Sequence, residues 1–195
     1  MAAKSAISGE YIIQKEESGK NIQSAAILRQ QIQNRCLEVE NRPGVYRWWF
    51  PKAQAEKLLT YFKSQMWLGG RKLQERIIRD TPYLALYFGI SSDMSRRIRW
   101  HIRGPFKSST LRRTLRAIMA PNTDDKTAET FVNQLIDSCF WEWEYTETVE
   151  QAECRETEEL AQKKFAYPLN ISKNNTVQSE WIAELKQLRA YLKNE

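Results

Sequence analysis

Two residues that could act on a phosphate group lie one helical turn apart in the middle of the chain. Arg97 and His101 are four positions apart in a stretch that reads as a helix, so they share one of its faces. A guanidinium can bind phosphate oxygens with two parallel hydrogen bonds, and an imidazole can carry a proton near neutral pH. The pair predicts a phosphate site. The alternatives are a solvated arginine, a role for neighbouring Arg96 instead, and a histidine that only packs at the surface.

Two tyrosines in aromatic strand-like runs could supply further groups. Tyr46 lies in the run 45–50, which Pro51 closes, and Tyr87 lies near the end of the run 83–89. Hydrolysis of a phosphodiester needs an activated water and neutralisation of charge at phosphorus, and a tyrosine could position or deprotonate that water. Its ordinary pKa of about 10 means that base catalysis requires nearby positive charge. The alternative for either tyrosine is cross-strand packing.

Three strands are predicted to position these groups, at 45–50, 83–89 and 140–145. The third strand alternates so that its aromatic side chains share one face and its carboxylates share the other. In the second strand, strict alternation divides the side chains, with Ala85 and Tyr87 on one face and Leu84, Leu86 and Phe88 on the other. Helices are predicted around these strands. The fold class is therefore α/β (α+β), with a small, mainly antiparallel three-stranded central sheet.

The chain divides into three parts by pattern. Residues 1–40 are predicted to be an N-terminal arm and helix, with residues 1–20 mobile. Residues 41–175 form the main domain, with a helical insertion at about 52–80 whose second half is expected to be a basic helix. Residues 176–195 are predicted to be an amphipathic C-terminal helix.

Charge is segregated along the chain, which has a net charge of +6. From Arg96 to Arg116 there are eight Lys or Arg residues and no acidic residue, whereas Trp141 to Glu159 contains eight Glu and one basic residue. Such runs are usually solvated helix faces, but clustered cations also release counterions from nucleic acid. We predict a phosphate-binding surface made of Arg96, Arg99, Arg103, Lys107, Arg112, Arg113 and Arg116. Of these, Arg112, Arg113 and Arg116 are predicted to point outward from their helix.

Other classes of site are disfavoured by composition. The chain has a single histidine, and its three cysteines (Cys36, Cys139 and Cys154) show no C-x-x-C spacing, so a structural zinc site is not expected. A reducing, cytoplasmic location is the simplest account of three cysteines that cannot all pair. No apolar run approaches the length of a membrane span, so no membrane partner is expected.

The order and spacing of these motifs resemble the GIY-YIG nuclease superfamily, over residues 43 to about 174. Gly44-Val45-Tyr46 resembles the first motif of its name and Tyr87-Phe88-Gly89 the second. Arg97 follows Gly89 by eight residues and His101 follows Arg97 by four, as in members of the superfamily. In size and layout the chain is closest to small restriction-type or stand-alone enzymes. Some forty residues separate the two motifs here, whereas the superfamily usually joins them by a short hairpin.

The resemblance implies a catalytic set and a metal ion. It implies Tyr46 as the general base, Tyr87 near the attacking water, and Asn170 as a residue that contacts the substrate or steadies the site. The acidic helix would supply one glutamate for Mg²⁺ or Mn²⁺. Glu158 fits the spacing to Asn170 best and is the first choice of ligand, with Glu156 as the runner-up and Glu153 third.

The resulting hypothesis is a metal-dependent endonuclease that hydrolyses phosphodiester bonds in double-stranded DNA, of the restriction type. Cutting both strands with one site per chain favours a homodimer, whose interface the N- or C-terminal helix could supply. One alternative is a catalytically silent nucleic-acid-binding module on the same fold. Another is a basic scaffold protein whose C-terminal helix docks on a partner.

Overall fold

The structure is a computed structural model that describes residues 21–60, 71–162, 164–171, 174, 176–177 and 179–191. The predicted arm at 1–20 lies outside these residues. The strands are β1 (Asn21–Ser24), β2 (Gly44–Pro51), β3 (Gln74–Ile78), β4 (Thr81–Ser91) and β5 (Phe140–Tyr145). The α-helices are α1 (Ala25–Gln33), α2 (Lys52–Thr60), α3 (Met94–Arg103), α4 (Thr110–Met119), α5 (Asp125–Asp137), α6 (Val149–Ala161) and α7 (Ser179–Tyr191). No described helix is long and apolar enough to cross a membrane.

The strands form one antiparallel sheet with the order β1-β5-β2-β4-β3. The predicted class is confirmed, but the expected three-stranded sheet was wrong, because five strands are present. The three predicted strands are β5, β2 and β4 at the centre. Strand β3 lies where a basic helix was expected, and a two-residue turn joins it to β4. Both turn residues, Arg79 and Asp80, have positive φ, as a tight hairpin turn requires.

One face of the sheet, which we call the tyrosine face, carries Tyr46 and Trp48 and packs against most of the helices. Its core includes buried side chains from six helices, among them Leu28, Ile98, Leu111, Ile136 and Leu185. Helices α1 and α7 both contribute to this core, so the apolar sides of the two terminal helices are buried within the chain. Burial of this kind supplies most of the free energy that holds the helices on the sheet.

The opposite face, which we call the arginine face, carries Val45, Arg47 and Trp49 and packs against α6 through Ala152 and Leu160. The carboxylates of β5 point to this side, as the alternation of that strand predicted. Glu142 is buried there and accepts a hydrogen bond from Trp49 Nε1 at 2.5 Å. Arg47 Nη1 lies 3.5 Å from the same carboxylate, so the buried charge is paired.

A β-bulge in β4 changes which face its last residues occupy. Trp48 pairs with Tyr87, but the next residue, Trp49, pairs with Ala85, so Leu86 is the extra residue. The prediction of strict alternation was therefore wrong. Tyr87 lies on the tyrosine face together with Leu86, and the next residue, Phe88, lies on the arginine face.

Candidate active site

The two motif tyrosines meet on the tyrosine face, next to the single histidine. The rings of Tyr46 and Tyr87 are stacked, with centroids 6.1 Å apart. His101 on α3 lies beside both rings, and its Nε2 is 2.9 Å from the hydroxyl of Tyr46. Its other ring nitrogen, Nδ1, is 2.8 Å from Ser109 Oγ. A hydrogen-bonded row therefore runs from Ser109 through His101 to Tyr46.

The sequence arranges this row through helix capping. Ser109 is the N-cap of α4, and its hydroxyl accepts a hydrogen bond from the main-chain N–H of Arg112. The same hydroxyl contacts His101, so one side chain both starts α4 and orients the imidazole. His101 is fully buried and both of its ring nitrogens have partners within the chain. In this arrangement the ring orients Tyr46, and it does not share a phosphate with Arg97 as the sequence suggested.

Burial keeps these groups uncharged in the free protein. It raises the pKa of Tyr46 well above 10, an effect to which the charges of Tyr87 and Glu156 add and against which Arg97 acts. Burial also raises the pKa of Tyr87, while Arg97 and a hydrogen bond with Tyr46 lower it. The pKa of His101 falls well below 6.5, because the ring is buried and the charges of Arg97 and Arg112 oppose protonation.

Arg97 is the cation of this cluster. Its charge acts on the pKa values of both phenols and of His101, and Arg97 lies one turn before His101 on the same face of α3. Arg97 forms no salt bridge with a described residue, and its buried Nε has no hydrogen-bond partner among them. Neighbouring Arg96, the alternative at this position, is exposed and pairs with Asp93. The structure thus separates the two arginines, and the inner one retains hydrogen-bonding capacity for an anion.

Asn170 steadies the site through the main chain. Its side chain accepts a hydrogen bond from Phe88 N–H at 2.9 Å and donates one to the Phe88 carbonyl at 2.6 Å. The preceding residue, Leu169, donates its N–H to the carbonyl of Leu86, the extra residue of the bulge. The segment at 169–170 therefore satisfies the polar groups around the bulge and fixes the direction of Tyr87.

The glycine of the second motif makes room for the tyrosine of the first. Gly89 pairs with Tyr46 across β2 and β4, and a Cβ atom built on Gly89 would lie 2.7 Å from the Tyr46 hydroxyl oxygen. Gly44 has a similar requirement, since its Cβ would lie 2.4 Å from the main-chain oxygen of Glu144. Both motif glycines are needed for close approach.

The acidic helix α6 places its candidate ligands in different surroundings. Glu156 lies between Ala152 and Leu160 on the side that faces the sheet, and its charge acts on both Tyr46 and Tyr87. Glu158 is exposed and lines a pocket of about 340 Å³ together with Tyr46, Arg47 and Glu142. Glu153 is exposed. The charge of Glu156 thus acts on both phenols, whereas Glu158 shares a pocket with Tyr46.

The donors present fit a magnesium ion that binds with the substrate better than one held by the protein alone. No group of three or more His, Cys, Asp or Glu side chains that could hold a metal occurs among the described residues. Mg²⁺ usually keeps several waters and uses one or two carboxylates together with phosphate oxygens. A single half-buried carboxylate, Glu156, near Arg97 and the tyrosine pair matches that pattern.

Two of the arginines predicted to contact nucleic acid are structural. Arg112 is 1% exposed and donates to Asn133 Oδ1 at 2.8 Å and to the carbonyl oxygens of His101 and Ile102. Arg116 is buried and pairs with Asp125 at 2.8 Å. The prediction that both point outward was wrong, because each guanidinium has partners on neighbouring elements. Four of the other predicted contacts are exposed: Arg96, Arg99, Arg103 and Lys107.

Sequence reasoning missed two charged features near the site. On the arginine face, Arg47 donates to the hydroxyl of Tyr167 and pairs with Glu159 at 3.0 Å, in addition to Glu142. On the other side, Arg189 of α7 lies close enough to Tyr87 for its charge to lower the pKa of that phenol. The amphipathic pattern of α7 predicted a helix but gave no sign that its last turn reaches the tyrosines.

The site thus combines a tyrosine pair from neighbouring antiparallel strands, an arginine on the next helix and a carboxylate, which are groups that could position water and neutralise charge at a phosphate ester. Residues 44–191, more than half of the chain, match a family model described as the GIY-YIG catalytic domain. The chain belongs to this family, as its motifs indicated, and the family match identifies a nuclease-type hydrolase domain. No curated protein and no solved structure matches the chain.

Proposed function

We propose that the protein is a metal-dependent endonuclease that hydrolyses phosphodiester bonds in double-stranded DNA. The observation that carries the proposal is the position of Arg97, which has no salt bridge with a described residue and lies beside the Tyr46–Tyr87–His101 cluster. A cation held next to buried phenols has a natural partner in the scissile phosphate. The restriction-type role and the homodimer stay predictions from the sequence.

Tyr46 is proposed as the group that takes the proton of the attacking water. Because burial disfavours a free phenolate, we infer that Tyr46 can act as a base only with the positive charge of Arg97 beside it. With hydrogen on Nδ1, the His101 ring donates to Ser109, and its Nε2 accepts a hydrogen bond from the Tyr46 hydroxyl and so orients it. Tyr87, stacked on Tyr46, would position the water, and Asn170 would hold Tyr87 through the main chain.

Glu156 is proposed as the residue that holds Mg²⁺ or Mn²⁺. When bound, the ion would neutralise charge on the phosphate and orient it. The support for Glu156 over Glu158 is its half-buried position on the face of α6 turned to the sheet and its electrostatic effect on both phenols.

The experiment is nicking of supercoiled plasmid with Mg²⁺ or Mn²⁺, together with DNA binding measured without divalent metal. Arg97→Ala, Tyr46→Phe and Glu156→Gln are expected to lower the nicking rate by roughly 100-fold or more while the chain still binds DNA. Glu158→Gln is the matched variant on the same helix and should keep most of the rate. If Glu158→Gln abolishes nicking and Glu156→Gln does not, the choice of ligand is wrong.

The wild-type protein itself tests the enzymatic proposal. Binding of DNA without nicking, over a range of metals and pH, would favour a catalytically silent binding module. Absence of any salt-dependent binding to nucleic acid would contradict both readings and favour a scaffold role.

A further inference from the structure

A basic groove lies between the start of α4 and the end of α7. It has a volume of about 540 Å³, and its charged lining consists of Lys107, Arg112, Arg113, Arg116 and Arg189 together with Asp125 and Glu129. The cations therefore outnumber the carboxylates by five to two. Helix α7, which contributes Arg189, has no part in the motifs that predicted the site.

Both carboxylates of the groove are already paired. Glu129 lies 3.5 Å from Arg112 Nη2, and Asp125 lies 2.8 Å from Arg116 Nη2. The guanidinium groups of these two arginines also lie over the ring of Phe106, each 5.4 Å from its centroid. Arg112 and Arg116 therefore form part of the wall of the groove.

Arg113 and Arg189 form no salt bridge with a described residue, although they lie close together. Both are half-buried, and the buried Nε of each has no hydrogen-bond partner among the described residues. Burial lowers the pKa of Arg189 to about 10, and the charge of Arg113 contributes to this shift. Two like charges held together away from water are unfavourable unless an anion joins them.

The pair is also connected to the tyrosines. Helix α7 packs through Leu185 into the same core as Tyr87, and the charge of Arg189 lowers the pKa of that phenol. Lys107 lies exposed in the same groove and adds a third positive charge to those of Arg113 and Arg189.

We propose that Arg113 and Arg189 jointly bind one non-scissile phosphate of the DNA strand, adjacent to the phosphate held by Arg97. This inference rests on the proposed function, because it assumes that a DNA strand crosses the tyrosine pair. Two guanidinium forks can share the oxygens of one phosphate, and such an anion would relieve the repulsion between them.

The test is the salt dependence of binding to a DNA duplex of roughly 30 base pairs, measured by fluorescence anisotropy without divalent metal. Each lost phosphate contact reduces the slope of log K against log salt by roughly 0.9. Arg189→Gln and Arg113→Gln should each reduce the slope by about that amount. The double variant should show no further reduction, because the contact with this one phosphate requires both guanidinium groups. Lys186→Gln, which removes an exposed charge from α7, is the matched control.

The proposal is overturned if Arg189→Gln behaves like Lys186→Gln, or if the double variant loses twice the slope of either single one. Thermal melts check that each variant folds. If Arg189→Gln does not fold, Arg113→Gln on α4 decides the question against the same control. Plasmid nicking separates the two claims: unchanged slopes in a protein that nicks normally refute only the groove, whereas absent nicking with the expected slopes refutes only the enzymatic function.

Discussion

The stability of the fold near neutral pH should depend on one imidazole, because the chain has a single histidine. The pKa of His101 lies well below 6.5, since the ring is buried and Arg97 and Arg112 oppose its protonation. An unfolded chain therefore binds a proton below about pH 6.5 that the folded chain excludes. Under this condition the free energy of unfolding rises with pH, and it falls as the solution becomes acidic.

The size of the effect follows from the unfolded state. At about one unit below its ordinary pKa, an unfolded imidazole is mostly protonated, which favours unfolding by at most roughly 1.4 kcal/mol. At about one unit above that pKa the contribution is close to zero. This upper limit of roughly 1.4 kcal/mol is reached if the folded His101 ring stays neutral at both pH values. A partial protonation of the folded ring would make the contribution smaller.

Urea unfolding of wild type and His101→Gln at about pH 5.5 and 7.5 measures this contribution. Glutamine keeps a donor and an acceptor for Tyr46 and Ser109, and all other titrating groups are common to both chains. The wild type should lose roughly 1 kcal/mol more than the variant on going to the lower pH. An equal loss in both would refute the reasoning and would mean that the folded ring accepts a proton without cost.

Four further substitutions test the geometry of the site and its surroundings. Gly89→Ala should lower the nicking rate at least about tenfold with an unchanged circular dichroism spectrum, because the new methyl group would displace the Tyr46 hydroxyl. Asn170→Asp should lower the free energy of unfolding by roughly 1–3 kcal/mol in urea, because it removes the donor to a main-chain carbonyl of β4. Arg112→Gln should cost about 2 kcal/mol or more, whereas Arg99→Gln, at an exposed position, should weaken DNA binding and change stability by less than about 0.5 kcal/mol.

The central part of the fold could be predicted because its signals are local. The aromatic runs that became β2, β4 and β5 carry strand patterns of their own, and Asp93 and Ser109 cap the helices α3 and α4. The edge strand β3 was missed because its sequence is polar. Its turn residues, Arg79 and Asp80, lack the Asn-Gly or Asp-Gly signature of a tight hairpin.

The site was only partly predictable, because several roles depend on partners that are distant in sequence. An arginine pattern cannot distinguish Arg112, whose guanidinium meets two helix-end carbonyls, from exposed Arg99. Likewise, spacing to Asn170 favoured Glu158, whereas the charge that acts on both phenols is that of Glu156. Side-chain direction on that helix is set by its buried residues, and it is not set by the length of the following loop.

The bulge at Leu86 explains why the segment at 169–170, which follows α6, packs against β4. If the same residues alternated strictly, Tyr87 would lie on the face opposite Leu84 and Leu86, whereas the bulge lets Leu86 and Tyr87 share the face of Tyr46. A bulge leaves main-chain groups unpaired, and here Leu169 and Asn170 supply their partners. Under the proposed function, Asn170 would therefore act on the chemistry by holding the strand that positions Tyr87.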